Sequence, residues 1–292
     1  MDTEHKLEVL VIGSTGRQGG AVARKLLARG HRVRAFTRKP HSPAAKALAA
    51  LGADITGGDL SDETCLEGAA ANVDAIFSVT NWREGGPDLE VKHGRAVADA
   101  AKNMGTPHLV FSSVASANRH TGIPHFESKF AVEEHIAALG IPATIVAPVS
   151  FMENFLAPAS LSALREGRLV RHLPVSRGRQ LVAVEDIGGF VTSLMEQRDD
   201  VLGDRFDIAG DEVTGEQEAD ILSRVTGRKV RCESVPLEPR GAGDRESAVM
   251  HEWIDRVGYS ADIRDLALEF PEVGWHRLES WAREQDWAAL LG

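Results

Sequence analysis

A chain of 292 residues, 43% hydrophobic and 26% charged, is long enough to bury a substantial core in one large domain or two small ones. Its apolar runs stop at five residues, which excludes a membrane-spanning helix, and the polar opening MDTEHK is unlike a secretory signal. A net charge of −10 argues against general nucleic-acid binding; Cys65 and Cys232, far apart and without metal-ligand spacing, argue against a disulfide framework or zinc site and for a reducing cytoplasm.

In chain order, short apolar runs predict strands at Glu8–Ile12, Arg32–Thr37, Ala53–Thr56, Val73–Val79, His108–Ser113 and Ala143–Val149. Between them, amphipathic patterns predict helices at about 17–29, 43–51, 62–70, 88–104 and 125–139. Gly30, Gly52, Gly105 and Gly140 stand where helices end, and Pro87 and Pro124 where helices begin. This alternation implies βαβ units, hence an α/β fold with a doubly wound parallel sheet. After residue 150 the rhythm loosens. MENFLAPASLSALREG reads as a helix or helix pair broken at Pro158, and LVAVEDIGGFVTSLMEQ as a strand running into a helix. A strand at Arg205–Ala209, a helix at Gly215–Thr226 and a strand at Lys229–Glu233 follow. The composition of 238–247, EPRGAGDRES, predicts a mobile loop. Helices are expected at about 246–257, 262–269 and 275–290, with Trp253, Trp275, Trp281 and Trp287 as packing anchors.

The most informative stretch is LVIGSTGRQGG, where the first strand runs into Gly13, Gly16 and Gly19 and then a helix. The first helical turn carries N–H groups without intrahelical partners, and the helix dipole adds positive potential, so this turn suits a diphosphate. Gly13 permits the tight turn, Gly16 lets phosphate approach the backbone, and Gly19 lets helix and strand pack closely; Thr15 and Arg17 complete the loop. No Gly-Lys-Ser/Thr follows, which points to a dinucleotide instead of a nucleoside triphosphate. The second strand ends FTRKP, with Arg38 and Lys39 where an NAD site usually carries a carboxylate. A guanidinium clamps a 2′-phosphate, so NADP(H) is expected over NAD(H). From Val9 to Ala53 there is no Asp or Glu but nine basic residues, a lobe suited to a polyanion, unless Arg24, Lys25 and Arg29 simply form a solvated helix face. Asp59 either approaches the adenine or caps the following helix.

These residues together resemble the NmrA-like proteins of the atypical short-chain dehydrogenase/reductase group. GSTGRQGG, FTRKP, SVTNW, HFESKFAVEEHI and APVSFMENF carry the resemblance, with VAVEDIG at 182–188 and TGRKV at 226–230. It implies a Rossmann domain at 1–150, its sheet completed by about 180–209. A smaller, mainly C-terminal α+β lobe for substrate or partner would comprise 151–179 and 210–292, with a cleft between the two. It also implies either an NADPH-dependent reductase of a quinone, enone or dye, or a dinucleotide-binding redox sensor with little turnover.

Short-chain reductases usually protonate substrate with a tyrosine four residues before a lysine. Here those positions hold His125 and Lys129, and the sole tyrosine, Tyr259, is distant in sequence. Four apart on a helix, His125 and Lys129 share a face. The resemblance places Lys129 at the nicotinamide ribose and in proton transfer, and His125 titrates near neutrality without help; both also fit an ordinary surface pair. Ser78–Trp82, with Thr80, Asn81 and Trp82, follows the fourth strand, where ligands lie in an open α/β sheet. Ser112 and Ser113 end the fifth strand, one of them at the place of the usual catalytic serine. Pro148–Asn154 follows the sixth and would border nicotinamide and substrate. Phe151 and Phe155 suit a flat apolar substrate or belong to the core, and Glu153 and Asn154 are ligand contacts or helix-start residues. No metal site is expected. The implied partner is a small acceptor or another protein, the chain being a monomer or homodimer without direct nucleic-acid or membrane binding.

Overall fold

The computed structural model describes residues 6–236 and 242–292. The first half runs β1 (Glu8–Val11), α1 (Arg17–Ala28), β2 (Arg32–Thr37), α2 (Pro43–Ala50), β3 (Asp54–Gly57), α3 (Glu63–Ala70), β4 (Ala75–Ser78), α4 (Gly86–Asn103), β5 (Leu109–Ser112), α5 (Pro124–Leu139) and β6 (Ala143–Pro148). A 3-10 turn at Trp82–Glu84 lies between β4 and α4. There follow β7 (Ser150–Phe151), α6 (Pro158–Arg165), β8 (Arg168–Arg171), β9 (Arg179–Val182), α7 (Val184–Glu196), α8 (Arg198–Val201), β10 (Arg205–Ile208) and β11 (Asp211–Val213). The chain closes with α9 (Gly215–Thr226), β12 (Arg231–Ser234), α10 (Ala242–Arg256), α11 (Ile263–Glu269), α12 (Leu278–Arg283) and α13 (Trp287–Leu291). Among the described residues no helix is long and apolar enough to cross a membrane.

The chain divides into two compact units. The first runs up to Ala147 and takes in Ile187–Phe206. Its central sheet has the strand order β10-β6-β5-β4-β1-β2-β3. β1 pairs in parallel with β2 and β4, β2 with β3, and β5 with β4 and β6. This is a Rossmann-type arrangement, with the strand order reversing between β1 and β4. The apolar runs decide it: Val9, Leu10 and Val11 have no exposed surface, as a strand covered on both faces requires. Leu10, Ile12, Phe36, Ile76, Leu109 and Phe111 meet Val97 and Val132 from the helices in one core.

The second unit comprises Pro148–Asp186 and Asp207–Gly292. It holds a small sheet in the order β11-β9-β7, with β9 antiparallel to β11 and parallel to β7, and a parallel pair β12-β8. Its core gathers Met152, Phe155, Leu181, Leu222, Trp281 and Trp287. Two expectations change here. The helix predicted over 275–290 is two short helices, because Asp286 turns away and caps α13 through Ala289 N. Of the loop predicted over 238–247, residues 238–241 lie outside the described residues, and from Ala242 onward the chain is helical, α10 starting earlier than its apolar pattern suggests.

Candidate functional site

The glycine turn joins β1 to α1. Gly13 has φ +73°, and a Cβ there would lie 2.7 Å from Val79 Cγ1 and 3.0 Å from Val79 O. A Cβ on Gly19 would lie 2.3 Å from Gly13 O. The chain's own packing therefore demands glycine at both positions. Gly16 is different. Its backbone is extended (φ −89°, ψ −178°), and a Cβ would meet only Gly13 O, at 3.2 Å. Thr15, Gly16 and Arg17 are exposed. Gly16 N closes the turn onto Gly13 O at 2.9 Å, and Ser14 Oγ ties it to Phe36 O of β2 at 3.0 Å. α1 has no side-chain cap among the described residues and no acidic residue in its first turn. By contrast, Ser42 caps α2 through Ala45 N and Asp62 caps α3 through Cys65 N. The start of α1 thus presents the positive end of the helix dipole with no side-chain cap, and no side chain at Gly16 stands in the approach to it. These features fit a dinucleotide diphosphate.

Past β2, Arg38 and Lys39 are exposed, and Arg38 Nη2 forms an ion pair with Glu84 Oε2. Carboxylates from outside the acid-free span also reach Arg29 (Glu196, 3.5 Å), Arg32 (Glu8, 3.2 Å) and Arg34 (Glu8), so the basic lobe is less positive than its count. Asp59 does not cap α3; it accepts Ser61 N at 2.8 Å in a local turn. That bond leads, with the Ser61 hydroxyl and the electrostatic pull of His93 and Arg38, in holding the Asp59 carboxyl below its ordinary range.

Lys129, 7% exposed, lies at the centre of a buried network. Its Nζ is 3.0 Å from Thr80 O, 3.1 Å from Thr80 Oγ1, 3.2 Å from Ser112 O and 3.1 Å from Glu90 Oε1. The Glu90 side chain has no exposed surface; it also accepts Ser128 Oγ at 2.5 Å and Thr80 Oγ1 at 3.3 Å. Ser112 Oγ donates to Gln18 Oε1 at 2.8 Å, linking the network to the first turn of α1. Burial pushes the Lys129 ammonium below the usual lysine range, against the opposing pull of Glu90 and then Glu133. With three N–H groups facing four protein acceptors, Lys129 delivers a proton only by giving up one of these bonds.

His125 is half-buried and stacks on Trp82, ring centroids 5.0 Å apart at 18°, with its edge to Phe126 at 4.9 Å. Asn81 Oδ1 accepts Arg83 N at 3.1 Å, capping the turn that carries Trp82. The first unit therefore brings together Thr80, Asn81, Trp82, Ser112, His125 and Lys129. Among the described residues no group of His, Cys, Asp or Glu is arranged to hold a metal ion.

Pro148, Phe151, Asn154 and Phe155 belong to the second unit. Phe155 is 4% exposed and packs on Trp281, ring centroids 6.2 Å apart, which gives it a core role. Phe151 is half-buried and Asn154 exposed. Between them, Glu153 accepts Val184 N at 3.0 Å and Trp281 Nε1 at 3.2 Å, holding the start of α7. Tyr259, remote in sequence, hydrogen-bonds Ser150, and burial pushes its hydroxyl pKa up. Sequence reasoning missed Glu90 and the return of Tyr259: a lone glutamate in a polar-faced helix and a tyrosine beyond α10 carry no local signal.

Residues 5–242 match the NmrA-like family. The NmrA-like family domain-containing oxidoreductase malD of Malbranchea aurantiaca is 31% identical over 291 residues, covering 88% of this chain and 86% of that protein. Crystal structures of the negative transcriptional regulator NmrA, in complex with NAD and with NADP, superpose with TM-score 0.79 at 23% identity, covering 97% of this chain and 99% of theirs. The Citrobacter sp. triphenylmethane reductase complexed with NADP(H) gives TM-score 0.81 at 21% identity, covering 94% and 99%. At these identities the structures support the fold alone.

Proposed function

The chain belongs to the NmrA-like family, and from that premise we propose that it is an NADP(H)-binding reductase of a small conjugated acceptor of quinone, enone or dye type. One observation carries the cofactor half. Gly13 and Gly19 are required by the chain's own packing, whereas a Cβ on Gly16 would meet only Gly13 O, at 3.2 Å, and Gly16 stands at the start of α1, which has no side-chain cap. The side chain is absent where a diphosphate would approach. Among the relatives, malD is named an oxidoreductase, and the triphenylmethane reductase structure holds NADP(H).

The nicotinamide, when bound, supplies hydride. The residues of this chain do the rest. The first-turn N–H groups of α1 hold the diphosphate, and Arg38 with Lys39 and Arg17 favours a 2′-phosphate. Lys129 fixes the carbonyls of Thr80 and Ser112 and reaches the nicotinamide ribose by exchanging one internal acceptor for it. The proton comes from His125 or from water, with Lys129 a donor only after releasing an internal acceptor. A conjugated acceptor makes small demands on a positioned acid, so the missing tyrosine does not forbid turnover.

A second reading is a redox sensor that binds the dinucleotide and acts through a protein partner. The engagement of all three Lys129 N–H groups within the protein favours it. NADPH consumption against a panel of quinones, enones, aldehydes and dyes separates the two. Turnover that falls at least tenfold in Lys129→Ala supports the reductase. Micromolar NADPH affinity with no turnover on any acceptor replaces it with the sensor.

A further inference from the structure

We propose that Glu84 is a cofactor-selectivity residue: its carboxylate holds Arg38 and competes with the 2′-phosphate of a dinucleotide for that guanidinium. The proposal rests on the reading above that Arg38 faces the adenosine ribose, and it goes beyond that reading in naming an internal competitor.

The pair is placed by topology. In the sheet β1 lies between β2 and β4. Arg38 directly follows β2, and Glu84 ends the 3-10 turn that follows β4. The ion pair between Arg38 Nη2 and Glu84 Oε2 thus joins the segments flanking β1, at the carboxyl end of the strand that feeds the glycine turn. Open α/β sheets bind ligands in this crevice, where the strand order reverses. Glu84 is not a loosely placed side chain. Its turn is capped by Asn81 at Arg83 N, Trp82 stacks on His125, and the Arg83 guanidinium lies 4.8 Å from the Trp82 ring centroid. The carboxylate is therefore held near Arg38 by the fold of the turn.

The consequence is electrostatic. An arginine fork suits a phosphate because it offers paired N–H donors. Here one branch already donates to a carboxylate. A dianionic 2′-phosphate has to displace Glu84 and then face it as a like charge. A free 2′-hydroxyl carries no such charge and leaves the pair intact. Glu84 so narrows the margin between NADPH and NADH that Arg38 alone would create. Both side chains are about half exposed, at 53% and 49%, so the effect is moderate. An exposed pair plus the like-charge contact corresponds to roughly a three- to tenfold change in affinity.

The test is calorimetry on the full chain with NADPH and NADH, and with 2′,5′-ADP and 5′-ADP as probes lacking nicotinamide. Glu84→Gln is expected to tighten NADPH and 2′,5′-ADP roughly three- to tenfold while NADH and 5′-ADP stay within about twofold. Arg38→Ala should weaken the 2′-phosphorylated pair selectively, and Glu84→Gln added to it should gain less than Glu84→Gln gains in the parent, because only the like-charge contact is left to relieve. If Glu84→Gln leaves the NADPH-to-NADH ratio unchanged while Arg38→Ala alters it, the competitor role is overturned and the cofactor reading stands. If Arg38→Ala weakens both dinucleotides equally, Arg38 does not meet the 2′-phosphate and the proposal falls with that assignment. Glu84 is exposed, so its neutral isostere leaves the fold intact and the measurement interpretable.

Discussion

Glu90 shows how much of a site depends on a residue with no sequence signature. Its side chain has no exposed surface, and Lys129, Thr80 and Ser128 surround it and bond its carboxylate oxygens. Lys129 was legible, because it stands four residues after His125 in a helix that the apolar pattern already marks. Its partner was not: Glu90 lies on α4, and only the packing of α4 against α5 brings the two together. A buried ion pair adds little net stability over an apolar pair, yet breaking it leaves a charge without a counterpart. Glu90→Leu or Lys129→Met alone should therefore cost about 3–5 kcal/mol in urea unfolding, and the double variant less than either. Additive losses would mean that the two groups are not energetically coupled. A double variant that regains stability but loses dinucleotide affinity would locate the value of the pair in function.

The glycine turn gives a sharper division at the scale of an element. Its motif was read from the sequence as one unit with three roles, and the structure separates them. Gly19 holds α1 against the backbone of Gly13, where an added Cβ would meet a carbonyl at 2.3 Å. Gly19→Ala must displace the helix, at about 1–3 kcal/mol or more by the usual cost of overpacking. Gly16→Ala adds a methyl to an extended N-cap position where Gly13 O, 3.2 Å away, has to give by only a few tenths of an ångström, and its thermal midpoint should stay within a few degrees of the parent. Dinucleotide affinity should nevertheless drop by at least tenfold in Gly16→Ala, because the methyl occupies the approach to the helix start. Unchanged affinity would show that Gly16 faces no ligand. The helices and strands around this turn were legible for a related reason. β1, β4 and β5 are mostly apolar runs buried on both faces, β2 and β6 are largely buried, and helix-ending glycines punctuate the pattern. In the second unit β7 and β11 are strands of two and three residues, too short for periodicity to register. Strand pairing there is decided by partners far along the chain, as β8 with β12 and β9 with β11.

For the molecule as a whole, the chain passes from one unit to the other at residues 147, 186 and 206, so neither unit is a continuous piece of sequence. Each carries a histidine with a displaced pKa, and the two displacements have opposite signs. In the first unit His108 Nε2 donates to Thr144 Oγ1 at 2.9 Å, since Thr144 spends its own hydrogen on Val201 O. Burial, with Arg198 nearby, pushes His108 down to about 4. In the second unit His276 Nδ1 lies 2.5 Å from Asp186 Oδ1 and its Nε2 3.3 Å from Glu284 Oε1. The hydrogen bond to Asp186 leads in pushing His276 up to about 9, against burial. Between pH 4 and 6.5 the unfolded chain binds a proton at His108 that the folded chain refuses, so stability rises with pH. Between pH 6.5 and 9 the folded chain keeps a proton at His276 that the unfolded chain has lost, so stability falls with pH. The acid limb is worth up to about 3 kcal/mol; the alkaline limb, with His276 partly solvated, about 1–2 kcal/mol. Urea unfolding from pH 5 to 9.5 should peak near pH 6.5. His276→Gln should flatten the alkaline side alone and His108→Gln the acid side alone, whatever each substitution costs at its own optimum. Variants whose curves run parallel to the parent across the whole range would remove both histidines as the source of the pH dependence.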